Sequence, residues 1–277
     1  MYSPLKHLLV VILLFCFSSF SYAADLTREI GLNIDKSSEP ENFFEVGLGL
    51  NAFNRSIINV DDKEDLDIGI TLIGSYNWHN FFVDFANQAP DSLVFGYTAY
   101  NRENWSFDVI LTGPGSGLRK KENQVNFEGI EERDVNTMIG GRLTGYIGEN
   151  VVQLTLKQGL TSRNGGAVAS ALIGRNWQIR NLNFHSIFAL SFRQAKLNDY
   201  YYGVSEEEAA RTNFAAYDGK SSLNFDSSIG LTYPISENVL LRAEVFFGSE
   251  FGYNESPLFS KQQDFYTGIS SSISYVF

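Results

Sequence analysis

The run Phe265-Tyr266-Thr267-Gly268-Ile269-Ser270-Ser271-Ser272-Ile273-Ser274-Tyr275-Val276-Phe277 closes the chain and carries a period of two. Phe265, Ile269, Ile273, Tyr275 and Phe277 fall on one side, and Tyr266, Gly268, Ser270, Ser272 and Ser274 on the other. Successive side chains of a β-strand point to opposite faces, so this pattern describes a strand set between an oily medium and a polar or crowded one.

A strand ending on aromatic residues resembles the closing strand of bacterial outer-membrane barrels, and Tyr275 and Phe277 are its expected assembly signal. That resemblance implies the outer-membrane assembly machinery as a partner. Past residue 23 no window holds the ~18 consecutive apolar residues of a membrane helix. The chain carries 23 Phe, 14 Tyr and 24 Gly but only 6 Pro, which suits a lipid-exposed wall with aromatic girdles. The expected fold is all-β: a transmembrane antiparallel β-barrel of about twelve strands.

Working back from the end, twelve segments have strand character. They are Phe43–Asn54, Asp67–Trp78, Phe81–Ala86, Ser92–Tyr100, Trp105–Gly113, Asp134–Gly148, Val151–Gly159, Gly166–Trp177, Asn181–Arg193, Ser222–Pro234, Val239–Gly248 and Asp264–Phe277. Their connections alternate in length. His79-Asn80, Asn101–Asn104, Glu149-Asn150, Gln178–Arg180 and Ile235–Asn238 are tiny, whereas Arg55–Leu66, Pro114–Arg133, Gln194–Ser221 and Ser249–Gln263 are long and polar. Short periplasmic turns and long extracellular loops are the asymmetry of an outer-membrane barrel. A soluble β-sandwich also has short strands, but it does not divide its loops by length in this way.

Residues 1–23 read as a signal peptide: Lys6 and His7 precede the apolar run Leu8 to Phe20, and Ser21-Tyr22-Ala23 offers small residues for cleavage. Residues 24–42 are expected to be a short periplasmic segment and 43–277 the barrel. Cys16 also admits a lipoprotein reading, opposed by bulky Phe15 before it and the apolar run after it. The mature chain then has no cysteine and no disulfide framework. The formal charge of −11 becomes −12 when Lys6 leaves, which argues against nucleic acid.

Placing the oily register outward puts Val46, Leu48, Leu50, Ile68, Ile70, Leu72, Trp105, Phe107, Val109, Leu111, Leu182, Phe184, Phe188, Leu190 and Phe192 against lipid. The opposite register collects the in-strand charge: Glu45, Asp67, Asp84, Asp108, Asp226 and Glu244, with Arg142, Lys157, Arg175, Arg193 and Arg242. A mid-depth Arg or Lys facing lipid costs ~2–4 kcal/mol, so inward placement is expected. Such charges either form an ion-pair network that braces the wall or set a transverse field across a small aqueous pore.

Catalysis is not expected. His79 sits in a short turn, and His185 is followed directly by Ser186, so the two side chains point to opposite faces and cannot act as base and nucleophile. His185 belongs with the lumen residues. Asp61-Asp62-Lys63-Glu64-Asp65 lacks the glycine and spacing of a calcium loop, and Gly113-Pro114-Gly115-Ser116-Gly117 precedes no helix that could make it a phosphate cradle. No cofactor is expected.

Tyr200-Tyr201-Tyr202-Gly203-Val204-Ser205 followed by Glu207-Glu208-Ala209, Glu255-Ser256-Pro257-Leu258 before the closing strand, and Gly129-Ile130 leading into Gly140-Gly141-Arg142 resemble the MipA/OmpV family of Gram-negative outer membranes. The likeness spans roughly residues 43–277, and departs from the family where Asn54-Arg55-Ser56 replaces its usual Tyr-x-Gly-Ser stretch. The resemblance implies a non-catalytic outer-membrane scaffold joining a lytic murein transglycosylase to a murein synthase. Some family members are instead described as adhesins or uptake factors. A narrow diffusion channel is the alternative from the residues themselves. In the motif Tyr202, Gly203, Val204, Ser205, Ser256 and Pro257, Gly203 is expected to permit a tight turn and Ser205 to cap a short helix Glu206–Arg211.

Overall fold

The computed structural model describes residues 42–54, 66–86, 91–102, 104–112, 128–134, 137–160, 165–259 and 262–277. The leader, nearly all of the 24–42 segment, the acidic loop at 61–65 and the glycine-rich stretch at 113–117 lie outside them.

Twelve strands close on themselves: β1 (Phe43–Asn54), β2 (Leu66–Trp78), β3 (Phe81–Ala86), β4 (Leu93–Arg102), β5 (Trp105–Thr112), β6 (Met138–Ile147), β7 (Asn150–Gly159), β8 (Ala167–Ile179), β9 (Leu182–Arg193), β10 (Ser222–Pro234), β11 (Val239–Ser249) and β12 (Phe265–Val276). Each pairs antiparallel with its sequence neighbour, and β12 returns to β1 from Glu45↔Val276 to Asn54↔Thr267. The Phe277 N–H donates to the Phe44 carbonyl at 2.9 Å, extending that closing ladder. Closure matters because an open edge in hydrocarbon leaves backbone groups unpaired at several kcal/mol each.

An even strand count brings both ends of the barrel to the rim of the short turns. Those turns use the left-handed backbone that tight hairpins require: φ is 55° at His79, 57° at Arg180 and 63° at Gly148. No described helix is long and apolar enough to cross a membrane.

The register confirms which face is oily. Leu48 pairs with Ile70 and Ile273, and these side chains are 68%, 60% and 53% exposed on the outer wall. Near the short-turn rim Trp78 stacks on Phe81 and Trp177 on Phe184, at 6.3 and 6.1 Å between ring centroids. Amphipathic rings at that level match the depth of lipid headgroups. The lumen is not uniformly polar. Phe82, Val94 and Ile110 form a buried apolar cluster on the inner face, a filling that the alternation of charge and small residues did not announce.

Candidate functional site

Two sets of residues concentrate the polar chemistry: the lumen wall and a folded cap at the long-loop rim. In the lumen, the pairing register puts every expected charge on the inner face except Arg175. That residue pairs with Asn150, itself opposite lipid-facing Ile147, so it shares their outward register. There it is exposed near the short turns and forms an ion pair with Glu149. Its inward assignment is therefore corrected, and the rim position explains why an outward cation is tolerated: at the interface the lipid penalty falls to ~0–1 kcal/mol.

The remaining charges act mostly in groups. Glu45 is fully buried on β1, and the Arg242 guanidinium on β11 donates to both of its oxygens, at 2.9 Å for Nη2–Oε2. The Ser274 hydroxyl on the intervening β12 donates to the same carboxylate at 2.5 Å. Higher in the wall, Arg142 Nε donates to Asp108 Oδ2 at 3.0 Å while Nη1 lies 3.9 Å from Asp84 Oδ2. Hydroxyls complete those carboxylates: Ser75 donates to Asp84 at 2.7 Å and Thr98 to Asp108 at 2.9 Å. The same guanidinium lies over the Phe82 ring, 5.0 Å from its centroid, which joins the ion cluster to the apolar one.

Lys157 on β7 reaches Asp91, at 2.7 and 2.5 Å to its two oxygens, and pins the connection before β4 to a wall three strands away. Asp226 accepts from the Tyr266 hydroxyl, and His185 Nε2 lies 4.0 Å from Glu244. Asp67 and Arg193 face inward through their partners Asn51 and Ser222. Ser186, beside His185, falls on the lipid face opposite Arg175.

The cap is built from the β9–β10 connection, which carries α1 (Ala195–Tyr202) and α2 (Glu206–Arg211). Ser205 caps α2 as the sequence suggests: its hydroxyl accepts from the Glu208 N–H at 3.2 Å, and the Glu208 carboxylate accepts from the Ser205 N–H at 2.9 Å. Gly203 plays a different part from the one expected. Its φ of −69° is open to any residue, but a Cβ there would stand 2.4 Å from the Asp199 carbonyl oxygen. Close approach to the end of α1, not a left-handed turn, demands glycine.

The two motifs that stand far apart in sequence meet in this cap. Ser256 Oγ donates to the Tyr202 carbonyl at 2.6 Å, Val204 packs on Leu258 next to half-buried Pro257, and Tyr202 stacks on Tyr253 at 4.6 Å. From the other side of the rim, Arg133 donates to both Glu208 oxygens at 2.8 and 3.0 Å, and the Glu131 N–H donates to one at 2.9 Å. Burial raises the Glu208 pKa, but those backbone donors and the Arg133 charge outweigh it and hold the carboxyl below its ordinary value. Burial, then the nearby Glu255 and Asp199 carboxylates, push the Tyr217 phenol up. A cavity of about 470 Å³ lies between residues 131–133 and the cap, lined also by Lys196, Asp199, Tyr200 and Asp218.

Asp91 and Arg133 were invisible to sequence reading because their partners, Lys157 and Glu208, stand 66 and 75 residues away along the chain. The Ser205-x-x-Glu208 spacing was the one local signal, since it is a capping box that any helix start can show.

A family model described as MltA-interacting protein MipA matches residues 46–277. The protein named "Putative outer membrane protein YiaT" from Escherichia coli (strain K12) is 25% identical over 150 residues, which are 51% of this chain and 58% of that one. The chain thus spans little over half the length of the curated relatives it matches. Among solved structures, the NanC porin has a TM-score of 0.44 at 8% identity, covering 83% of this chain and 98% of that one. The KdgM porin has a TM-score of 0.43 at 12% identity, covering 84% and 99%.

Proposed function

The chain belongs to the MipA family of MltA-interacting proteins, and on that premise we propose that it is a non-catalytic outer-membrane scaffold for murein-remodelling enzymes. The partners this reading names are a lytic transglycosylase and a murein synthase, held at the inner surface of the membrane. The observation that carries it is how the lumen charges are spent on each other. Glu45–Arg242, Asp84–Arg142–Asp108 and Asp91–Lys157 tie strand to strand and loop to wall, as a rigid anchor requires. Buried pairs of this kind fix one arrangement of the wall and do not present a row of solvated charges to a passing solute.

On this reading partners meet the short-turn rim, with His79, Glu149, Arg175 and Arg180, or the preceding stretch of chain, residues 24–42. Pull-down of murein enzymes by the full chain and by a chain lacking residues 24–42 tests this. Capture by the first and loss by the second is expected. No capture of either enzyme by the full chain would refute the scaffold, and undiminished capture after deletion would move the contact to the turns.

A narrow diffusion channel is the second reading, favoured by Asp67 and Asp226, which face inward yet are exposed. Planar-bilayer recording distinguishes it: single-channel steps altered by Arg142→Ala support a pore, and a silent wild-type protein with a silent Arg142→Ala variant excludes it.

A further inference from the structure

We propose that residues 194–221, together with 250–259, form a lid on the outer mouth that opens as one body along its seam with residues 128–134, with Glu208 and Arg133 as the latch. The lid holds itself together without the rest of the rim. Val204 and Tyr217 exchange backbone hydrogen bonds at 2.8 and 2.9 Å, and Asp199 accepts from the Gly219 N–H at 2.9 Å. Val204 and Leu258, 1% and 0% exposed, pack with Ala209, Phe214 and Tyr217 into a small core, against which Ile130 packs from across the seam.

The two flanks of this body differ in kind. Toward β8–β11 it is stitched to the wall at many points. The Gln194 N–H donates to the Ala167 carbonyl at 3.0 Å, the Ala167 N–H donates back to Gln194 Oε1 at 3.0 Å, and Asn198 Nδ2 donates to Ser222 Oγ at 2.9 Å. Asn224 and Phe251 exchange hydrogen bonds at 2.7 and 3.2 Å. Ser222 and Asn224 are inward-facing wall residues, so the lid is hung from the inside of the barrel and lies over its lumen.

Toward β6 the attachments are mostly polar and centre on Glu208 and Arg211; Arg133 also donates to the Gly203 carbonyl, and Arg211 also pairs with Glu131, each at 3.4 Å. Arg133 and the Glu131 N–H both bind Glu208, Arg211 Nε donates to the Gly129 carbonyl at 2.6 Å, and Tyr200 donates to the Asp134 carbonyl at 3.3 Å. Ile130 adds an apolar contact. The 470 Å³ cavity lies beside this flank, lined by Glu131, Arg133, Tyr200 and Glu208 among others. A body joined to the wall by continuous chain and backbone hydrogen bonds on one flank, and on the other by mostly side-chain contacts beside a cavity, separates at the second flank first.

Glu208 makes the separation cooperative. Its carboxylate closes the α2 capping box and receives Arg133 at once, so a closed seam and an ordered helix start support each other. This device stands apart from the scaffold and channel readings, because it concerns the rim facing away from the periplasm and requires neither a murein enzyme nor conduction.

Residue-resolved amide hydrogen exchange on the whole protein in lipid nanodiscs tests it. In wild type, the Glu131 amide, whose hydrogen bond crosses the seam, is expected to exchange at least tenfold faster than those of Val204 and Tyr217 inside the lid. In Arg133→Ala, Glu131 should exchange a further tenfold faster or more while Val204 and Tyr217 change less than twofold. Equal rates for the three amides in wild type would overturn the proposal, since they mean the lid melts instead of swinging. A Glu131 amide unmoved by Arg133→Ala, or Val204 and Tyr217 accelerated as much as Glu131, would overturn it equally.

Discussion

Replacing Arg242 by alanine strips both guanidinium donors from Glu45, a carboxylate with no solvent exposure on the inner wall. Ser274 still donates to it, but a neutral hydroxyl does not replace a guanidinium charge. Removing one partner of a buried ion pair costs ~3–5 kcal/mol because the survivor is left uncompensated. The exposed Arg175–Glu149 pair at the rim is the matched control, and losing it should cost about 0–1 kcal/mol. Urea unfolding in lipid vesicles, followed by intrinsic tryptophan fluorescence, measures both on one scale. The double change Glu45→Gln with Arg242→Gln removes both charges and keeps hydrogen-bonding groups in place, so it should recover most of the loss. If Arg242→Ala unfolds no more easily than Arg175→Ala, the lumen pairs do not brace the wall and the anchor argument fails with them.

Other outcomes follow from the same geometry. Leu154→Arg, on the lipid face of β7, should destabilise by ~2–4 kcal/mol, while its inward neighbour Gln153→Arg loses much less; equal losses would mean the faces are misassigned. Gly230→Ala would set a Cβ 2.4 Å from His185 Nε2 and 3.0 Å from the Ala243 carbonyl oxygen. It should cost ~1–3 kcal/mol as an overpacked site. His185→Ala should relieve part of it, and strictly additive urea midpoints would deny the contact. Glu208 has a folded pKa below its ordinary 4.5, so its contribution is present above 4.5 and lost as pH falls through the lower folded value. The urea midpoint gap between wild type and Glu208→Gln should therefore be full at neutral pH and close in acid. A gap unchanged by acid would remove Glu208 from the latch.

The barrel was legible because lipid imposes a rule on every other residue. β1, β3 and β10 run over the same residues that the alternation marks, and in β1 the outward Val46, Leu48 and Leu50 set the register. β8 shows where that logic fails. Ala167, Val168, Ala169, Ser170 and Ala171 offer no contrast between faces, so Arg175 itself became the guide and pointed the wrong way. The true register comes from Asn150 across the ladder, a long-range fact. The cap was legible only at the capping box and in the two motifs. Nothing local in Arg133 marks it as the partner of a glutamate on another loop, because a salt bridge across a rim has no period.

The β1–β12 ladder also dictates an order of events. The first strand of the wall and the last are mutual partners, so the earliest segment to emerge cannot finish pairing until the latest one arrives. Until then two unsatisfied edges and a belt of leucine, isoleucine and phenylalanine are open to any neighbour. An unclosed wall keeps those edges and that belt exposed, and a truncation inside β12 should leave a chain that never becomes a protease-resistant cylinder.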